Sequence, residues 1–242
     1  MITLPSVRVE RVLLLLALAA PDSQAQSGGS GAMGRVSVPV ALHLGLPQGE
    51  FAQNVRIAGG AGGGVLWNVA GPLGLRADLG VMIYGSETRR VPLGGGALGL
   101  INVDVTTTNS IFGGGIGAQL GVPGPRLMPY LGGMIGFSAF TTTSSVRGSN
   151  SSNQPFASST NSSDATFART GYGGVYIPLS KAGTMLDLGA RYTFNGERVR
   201  YLTRGDIIED VNGNAIITPR ETRADLLTIV IGVTLRPGNK RR

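Results

Sequence analysis

The chain is organised as segments in which apolar and polar residues alternate, joined by connections that are by turns short and long. Three short connections are tight turns rich in Pro, Gly or other small residues, at 70–74, 123–126 and 180–184. The longest connections, about 144–165 and 196–223, are polar. Successive side chains of a strand point to opposite faces, so the alternation predicts strands with one apolar and one polar face. Alternately short and long connections are typical of an up-and-down antiparallel arrangement.

The first 25 residues have the organisation of a secretory signal peptide. Two arginines precede an apolar stretch at 12–20, and Ser23 and Ala25 then fit a cleavage site of small residues. The stretch is too short to span a membrane as a helix. A soluble amino-terminal helix is disfavoured because a proline and a Gly/Ser-rich segment follow. We therefore expect the mature chain to start at Gln26, with 26–35 as a short flexible segment.

The faces of three segments are especially distinct. In the last, the apolar side chains alternate with small or polar ones: Leu227, Ile229, Ile231, Val233 and Leu235 against Thr228, Val230, Gly232 and Thr234. In segments 73–84 and 185–194, the apolar face is opposite a face that carries Arg76, Asp78, Asp187 and Arg191. In a membrane barrel the apolar face contacts lipid, and the charged face turns into a narrow interior where charges can pair.

Composition helps to choose between architectures. Cysteine is absent, only 14% of residues are charged, and no later stretch approaches 18 uninterrupted apolar residues. Together with the signal peptide and the asymmetry of the connections, this favours an all-β fold, an eight-stranded antiparallel up-and-down transmembrane β-barrel over 36–235. The alternative is a secreted soluble β-sandwich or a lipocalin-like barrel that binds a small apolar ligand.

Eight segments are long enough to cross a membrane as tilted strands. They are 36–46, 55–69, 73–84, 109–122, 128–143, 166–178, 185–198 and 224–235. Eight is even, so both ends of the barrel are expected on the periplasmic side. Residues 87–108 either extend two strands or form a loop.

The interior of an eight-stranded barrel is about filled by side chains. We expect Arg76, Asp78, Asp187 and Arg191, with Gln119 beside them, to form a charge-paired plug that leaves no open aqueous pore. A narrow porin-like channel is the alternative. Strand glycines are expected to relieve crowding inside. Seven aromatic residues lie mostly towards strand ends and predict an interfacial girdle: Trp67, Tyr130, Phe137, Tyr172, Tyr176, Tyr192 and Phe194.

Three strands carry a family resemblance. The segments 129–137 (PYLGGMIGF), 171–175 (GYGGV) and 186–192 (LDLGARY) resemble the small outer-membrane β-barrel domains of the OmpA/OmpX/opacity-protein type. The resemblance extends over 36–235. It implies location in the bacterial outer membrane and insertion by the barrel-assembly machinery, although the last strand ends at Leu235 where the class usually has an aromatic residue. It implies location far more than activity.

The sequence contains no catalytic constellation. His43 is the only histidine, expected to face inward with Ser37, Ala41 and Gly45, and no serine–histidine motif adjoins it. The G-x-G-x-x-G match at 94–99 is followed by a β-branched segment rather than a helix, which argues against a dinucleotide site. We therefore predict a non-enzymatic protein with no catalytic, cofactor-binding or metal-binding residues.

Two polar connections remain open to interpretation. Residues 210–221 place oxygen-bearing side chains as an EF-hand loop does, but Ala215 stands where a glycine is required, so a hairpin turning at Asn212-Gly213 is favoured over a calcium site. The Ser/Asn-rich connection 144–165 is expected to be mobile. It forms either a solvated, tolerant loop or an adhesive surface that contacts a ligand.

The net charge of +7 does not indicate nucleic-acid binding, because the arginines lie beside carboxylates rather than interleaved with aromatics. Four of the positive charges belong to a basic tail at 236–242. The sequence thus predicts a monomeric outer-membrane barrel with a structural or surface-interaction role. Its expected partners are membrane lipid, the barrel-assembly machinery and an extracellular ligand or surface that contacts the connections 144–165 and 196–223.

Overall fold

The computed structural model describes residues 36–92, 102–148, 155, 157–180, 183–203, 206–209 and 215–236. Almost all of the regular structure is β. The elements are β1 (Val36–Pro47), α1 (Gly49–Ala52), β2 (Ala58–Ala70), β3 (Leu73–Pro92), β4 (Asn102–Gly121), β5 (Met128–Gly148), β6 (Ala157–Pro178), β7 (Met185–Asn195), β8 (Arg198–Tyr201), β9 (Ile207–Glu209), β10 (Ala215–Ile217), β11 (Arg220–Arg223) and β12 (Leu226–Leu235).

Eight of the strands close into a barrel in the order β1-β12-β7-β6-β5-β4-β3-β2. Every neighbouring pair is antiparallel, and β1 pairs with both β2 and β12. Closure leaves no unpaired strand edge within the ring. The predicted eight-stranded antiparallel barrel is therefore confirmed.

Short turns lie at one end of the barrel, called the turn end below. Gly71 adopts a positive φ of 53°, which permits the two-residue turn between β2 and β3. The first and last barrel strands also meet there, since Val36 pairs with Trp67 and Val38 pairs with Leu235. Both ends of the barrel thus lie at the turn end, as predicted. The opposite end, called the loop end, carries the longer connections.

The two faces of the barrel wall differ sharply in polarity. Outward side chains are mostly apolar and exposed, for example Leu42, Leu131 and Ile231, whereas Thr228 and Val230 face inward and are buried. The face assignments predicted for β3, β7 and β12 are confirmed. No helix among the described residues is long and apolar enough to cross a membrane.

The strands at the loop end are longer than predicted. β3 and β4 continue through most of 87–108, and β5 and β6 pair through most of 144–165, where a mobile loop was expected. Serine and threonine side chains bond across these strands: Thr107 with Ser144 at 2.8 Å, and the Asn161 amide nitrogen to Ser144 at 2.7 Å. Paired strands that extend beyond the apolar part of the wall need no apolar face. The polar composition of these segments therefore did not indicate strands.

Much of the described part of the connection 196–223 also forms strands. β8 pairs with β11, and β9 pairs with β10, each as a two-stranded antiparallel sheet. The β9–β10 pair brackets the predicted hairpin, with Glu209 opposite Ala215. The turn at Asn212-Gly213 and the alternative calcium ligands at 210–214 lie outside the described residues. Four other parts of the chain also lie outside the described residues: the predicted signal peptide 1–25, the segment 26–35, the 94–99 motif and residues 237–242 of the tail.

The predicted aromatic girdle is wrong in three of its members. Tyr130, Tyr172 and Tyr176 point into the barrel and are buried. Phe112 and Phe167, which were not predicted, point outward with four residues that were: Trp67, Phe137, Tyr192 and Phe194. The girdle was predicted because these residues lie near strand ends. Each of the three tyrosines, however, lies at a position of its strand whose side chain points into the barrel.

Candidate functional site

The barrel interior towards the turn end holds a cluster of bonded charges. Arg76 projects inward from β3, and its Nε donates to the Asp78 carboxylate, with the shorter distance 2.9 Å. Its Nη1 donates to the Gln119 amide oxygen at 2.9 Å and to the Tyr176 hydroxyl at 3.2 Å. Arg76 and Asp78 are two residues apart on one strand, so alternation places both side chains in the interior.

A second arginine completes the ionic group around Asp78. Arg191 projects inward from β7, and its Nη1 lies 2.8 Å from Asp78 Oδ2. One buried carboxylate therefore binds two guanidinium groups from opposite sides of the ring. Four of the five residues predicted to meet in the interior are therefore bonded to one another: Arg76, Asp78, Arg191 and Gln119.

Asp187 departs from the expected charge pairing. Among the described residues it forms no ion pair at its Oδ atoms, and instead Oδ1 accepts a hydrogen bond from the Tyr130 hydroxyl at 2.6 Å. Its Oδ2 is buried without a hydrogen-bond partner in the part of the chain that the structure describes. The tyrosine takes the place that pattern reasoning assigned to an arginine.

Three tyrosines form the walls around the two arginines. The Tyr172 ring lies 5.2 Å from the Arg76 guanidinium carbon and 6.0 Å from that of Arg191. Tyr130 and Tyr176 stack on each other at 4.4 Å. Each guanidinium therefore faces both a carboxylate and an aromatic ring, which stabilises a buried cation.

Glycines opposite Tyr130 make room for its ring. A Cβ atom added at Gly174 or at Gly189 would lie 2.6 Å from the Tyr130 hydroxyl oxygen, closer than van der Waals contact allows. The expectation that strand glycines relieve crowding inside the barrel is confirmed at these two positions. Close approach, rather than an unusual backbone conformation, explains them.

A cavity of about 90 Å³ lies in the middle of the barrel, lined by side chains that include His43, Asp78 and Arg191 on one side and Phe140 on the other. His43 faces inward, as predicted, and packs close to Gly80. The volume is that of roughly three water molecules. The cavity is therefore a small space that adjoins both the bonded charges and Phe140.

An aromatic cluster closes the loop end. The short helix α1 inserts Phe51, whose ring meets those of Tyr84, Phe140 and Tyr201 edge-on at 5.8, 5.9 and 5.1 Å. The Tyr201 hydroxyl bonds with Thr222 at 2.8 Å, which ties β8 to β11 around the cluster. We call this group of four rings the aromatic cap. Sequence reasoning missed it, because its members come from four distant segments.

Ion pairs fix the surface strands above the aromatic cap. Arg220 Nε lies 3.0 Å from Asp206 Oδ2, and Arg198 pairs with Glu50 at 3.1 Å. Burial alone would raise the pKa of Asp206, but hydrogen bonds from Arg220 and Thr203 outweigh it and hold the pKa below its usual value. The first pair joins β11 to the residue before β9, and the second joins β8 to α1.

The geometry does not form a metal site in the described part of the chain, where no three metal-binding side chains converge. The interior is instead a sequence of three layers: the bonded charges, the small cavity and the aromatic cap. Strand parity was the signal that located the charges. The same parity rule, applied to Tyr130, Tyr172 and Tyr176, was the signal that would have located the tyrosines.

No protein-family model and no curated protein matches the chain. Solved structures that are similar to it include neisserial surface protein A, with 12% identity, a TM-score of 0.44, and coverage of 83% of this chain and 96% of that chain. Ail, the attachment invasion locus protein of Yersinia pestis, gives 9% identity, a TM-score of 0.44, and coverage of 84% and 98%. The outer membrane protein OprG from Pseudomonas aeruginosa gives 11% identity, a TM-score of 0.44, and coverage of 83% and 94%.

Sequence identities and TM-scores this low support no conclusion about function. The fold is established by the strand pairing itself. Eight antiparallel strands close into a ring, apolar side chains face outward, and charged side chains bind one another inside. This is the arrangement that a bilayer imposes on a strand-built protein. The chain is thus a closed eight-stranded antiparallel β-barrel whose outer face is apolar and whose interior is charged.

Proposed function

We propose that the protein is a non-enzymatic barrel of the bacterial outer membrane with a structural or surface-interaction role, presenting the strands of 144–165 and 196–223 outside the cell. The observation that carries the proposal is the apolar outer face of the closed ring. Monomeric soluble proteins rarely expose contiguous apolar patches larger than a few hundred Å². This face continues around the barrel, from Leu42 on β1 through Leu79 on β3 and Ile135 on β5 to Ile231 on β12.

The interior supports a non-enzymatic role. Asp78, the carboxylate beside the His43 cavity, is bound by both Arg76 and Arg191. A carboxylate that binds two guanidinium groups directly is not free to contact a substrate. Phe140, a member of the aromatic cap, lines the same cavity as His43.

The loop-end surface supports an interaction role. The ladders β3–β4, β4–β5 and β5–β6 continue beyond the apolar part of the wall, and their side chains there are hydroxyls, amides and paired charges such as Arg90–Asp104 at 3.0 Å. A preordered polar surface loses little conformational entropy when it binds a partner. We propose an extracellular ligand or surface as that partner, and insertion as a monomer by the barrel-assembly machinery.

Fractionation of cells that express the full chain tests the proposal. We expect the protein in the outer-membrane fraction, extracted only by detergent, with an amino terminus that begins at Gln26 after removal of 1–25. Recovery as a soluble periplasmic or secreted protein without detergent would contradict the proposal. That outcome would favour the lipocalin-like alternative, in which the barrel binds a small apolar ligand.

Conductance separates this role from that of a channel. Because the bonded charges and the aromatic cap each fill the bore, we expect little or no conductance when the purified barrel is inserted into a planar lipid bilayer. The measurement is single-channel recording at several salt concentrations. Stable, large current steps would contradict the plugged interior and favour the porin-like alternative.

A further inference from the structure

The outer face of β6 carries a charge where its neighbours are apolar. Arg169 points outward and is exposed, and in the strand register it lies between Ile135 on β5 and Phe194 on β7. Its guanidinium carbon lies 5.9 Å from the centre of the Phe167 ring, two residues along the strand. Phe167 and Phe194 are themselves about half exposed on this face. Arg169 therefore lies among aromatic side chains towards the loop end of the apolar surface.

Within the described residues, no carboxylate of the protein neutralises Arg169. No ion pair joins it to an Asp or Glu side chain there. Asp225 is the carboxylate on the same row, but it lies on the far side of Phe194, and its Oδ1 accepts the backbone N–H of Asn195 at 3.0 Å. Apart from its contact with the Phe167 ring, the Arg169 guanidinium is therefore open to a counterion from the surroundings of the barrel.

A second arginine lies near Phe194. The exposed side chain of Arg223, at the end of β11, lines the same groove of the outer surface as Arg169, Phe194 and Asp225. In the described part of the chain it too forms no ion pair. Arg169 and Arg223 thus line one groove of the outer surface together with an exposed phenylalanine.

The surroundings determine which counterion suits this pair. Arginine on a lipid-facing surface is unfavourable in the hydrocarbon and tolerated near the interface, where aromatic residues gather. An arginine side chain that starts among apolar groups extends its charged end to the headgroup level. The anion that is abundant at that level is the lipid phosphate, and the planar guanidinium binds phosphate oxygens in a bidentate manner.

We propose that Arg169 and Arg223 bind the phosphate of a lipid headgroup in the outer leaflet, with the lipid chains lying against Phe167 and Phe194. The site lies on the outer wall of the barrel and is distinct from the interior charges and from the loop-end surface. It rests on the proposed membrane location. It gives the barrel a preferred boundary lipid, held on the β6–β7–β12 side.

Brominated lipids test the proposal in the full folded barrel. Trp67 is the only tryptophan of the chain and lies near the turn end, so it is replaced by Phe, and Phe194→Trp places a reporter in the same groove as the two arginines. The barrel is reconstituted in phosphatidylcholine vesicles that contain brominated phosphatidic acid or brominated phosphatidylcholine. Quenching of the reporter gives the relative affinity of the two lipids for this surface.

We expect a preference for phosphatidic acid of about fivefold or more, the effect of one arginine near a membrane surface, decreasing at high salt. Arg169→Gln with Arg223→Gln is expected to bring the ratio close to one. These variants remove charge from a lipid-facing surface, so they do not compromise folding. Arg147→Gln, which removes an exposed charge on the extended part of β5, is the matched control and leaves the preference unchanged.

Two further measurements separate the other outcomes. Added inorganic phosphate is expected to leave the preference for phosphatidic acid intact. Loss of that preference on adding inorganic phosphate would indicate a site for free phosphate instead. An equal affinity for the two lipids, or a preference that survives the double substitution, would overturn the proposal. Quenching of Trp67 in the unaltered protein by brominated phosphatidylcholine reports insertion itself. If that quenching is absent, the proposed membrane function fails, and this proposal fails with it.

Discussion

Replacement of Asp78 by alanine is expected to destabilise the folded barrel by about 3–5 kcal/mol, the usual cost of leaving a buried ionic partner uncompensated. The reason is that Asp78 binds both Arg76 and Arg191, at 2.9 and 2.8 Å, and all three side chains are largely withdrawn from solvent. Without the carboxylate, two guanidinium groups face each other in the interior. The measurement is urea-induced unfolding of the barrel in detergent micelles or vesicles.

Asp104→Ala is the matched control for that experiment. Asp104 also pairs with an arginine of the adjacent strand, Arg90 at 3.0 Å, but this pair is exposed to solvent. Exposed ion pairs contribute about 0–1 kcal/mol, so the control is expected to lose little stability. A loss at Asp78 no larger than that at Asp104 would show that the interior charges do not hold the barrel together.

The second large effect is expected at Ile231. This residue faces outward from β12 between Leu42 of β1 and Leu188 of β7, and about half of it is exposed. Ile231→Arg places a charge against the hydrocarbon and is expected to cost about 2–4 kcal/mol if the site lies near the midplane of the bilayer. Val230→Thr is the control, since that side chain faces inward, where Thr228 and Thr234 are already buried. Its loss of stability is expected to be smaller.

Accessibility identifies the cause of the effect at Ile231, because the charge would also harm a soluble barrel that buried this face. The chain contains no cysteine, so a spin label is attached at a single Ile231→Cys site without competing thiols. We expect lipid-soluble oxygen to reach the label and aqueous relaxation agents to be excluded. A label at Arg147→Cys is the water-exposed reference. Free access of aqueous reagents to position 231, or access of neither reagent, would refute the assignment of this face to lipid.

Sequence and structure agree most closely where a residue's environment follows from strand parity. The alternation in 73–84, 185–194 and 226–235 assigned each side chain to one of two faces, and the observed strands keep those faces. Strand parity also predicted that the side chains of Arg76, Asp78 and Arg191 all face the barrel interior. Local pattern succeeds here because the side-chain period of a strand is fixed by its backbone.

The alternation of apolar and polar residues did not predict the length of the strands. Residues 144–148 and 157–165 are mostly polar, and composition favoured a mobile loop, yet they form the far end of the β5–β6 ladder. Their pairing is decided by backbone hydrogen bonds to neighbouring strands, which are remote in sequence. A polar strand outside the membrane has no apolar face to mark it, so its extent follows from tertiary contacts.

The sequence by itself determined the class of the fold: eight alternating segments, apolar on one face, with charges that must meet inside a narrow ring. Tertiary structure alone decided the pairing of Asp187 with Tyr130, the insertion of Phe51 into the aromatic cap and the isolation of Arg169 among aromatic side chains. The physical reason is the same in each case. Parity assigns a side chain to a face, but its partner on that face depends on the register and stagger of strands that are distant in the chain.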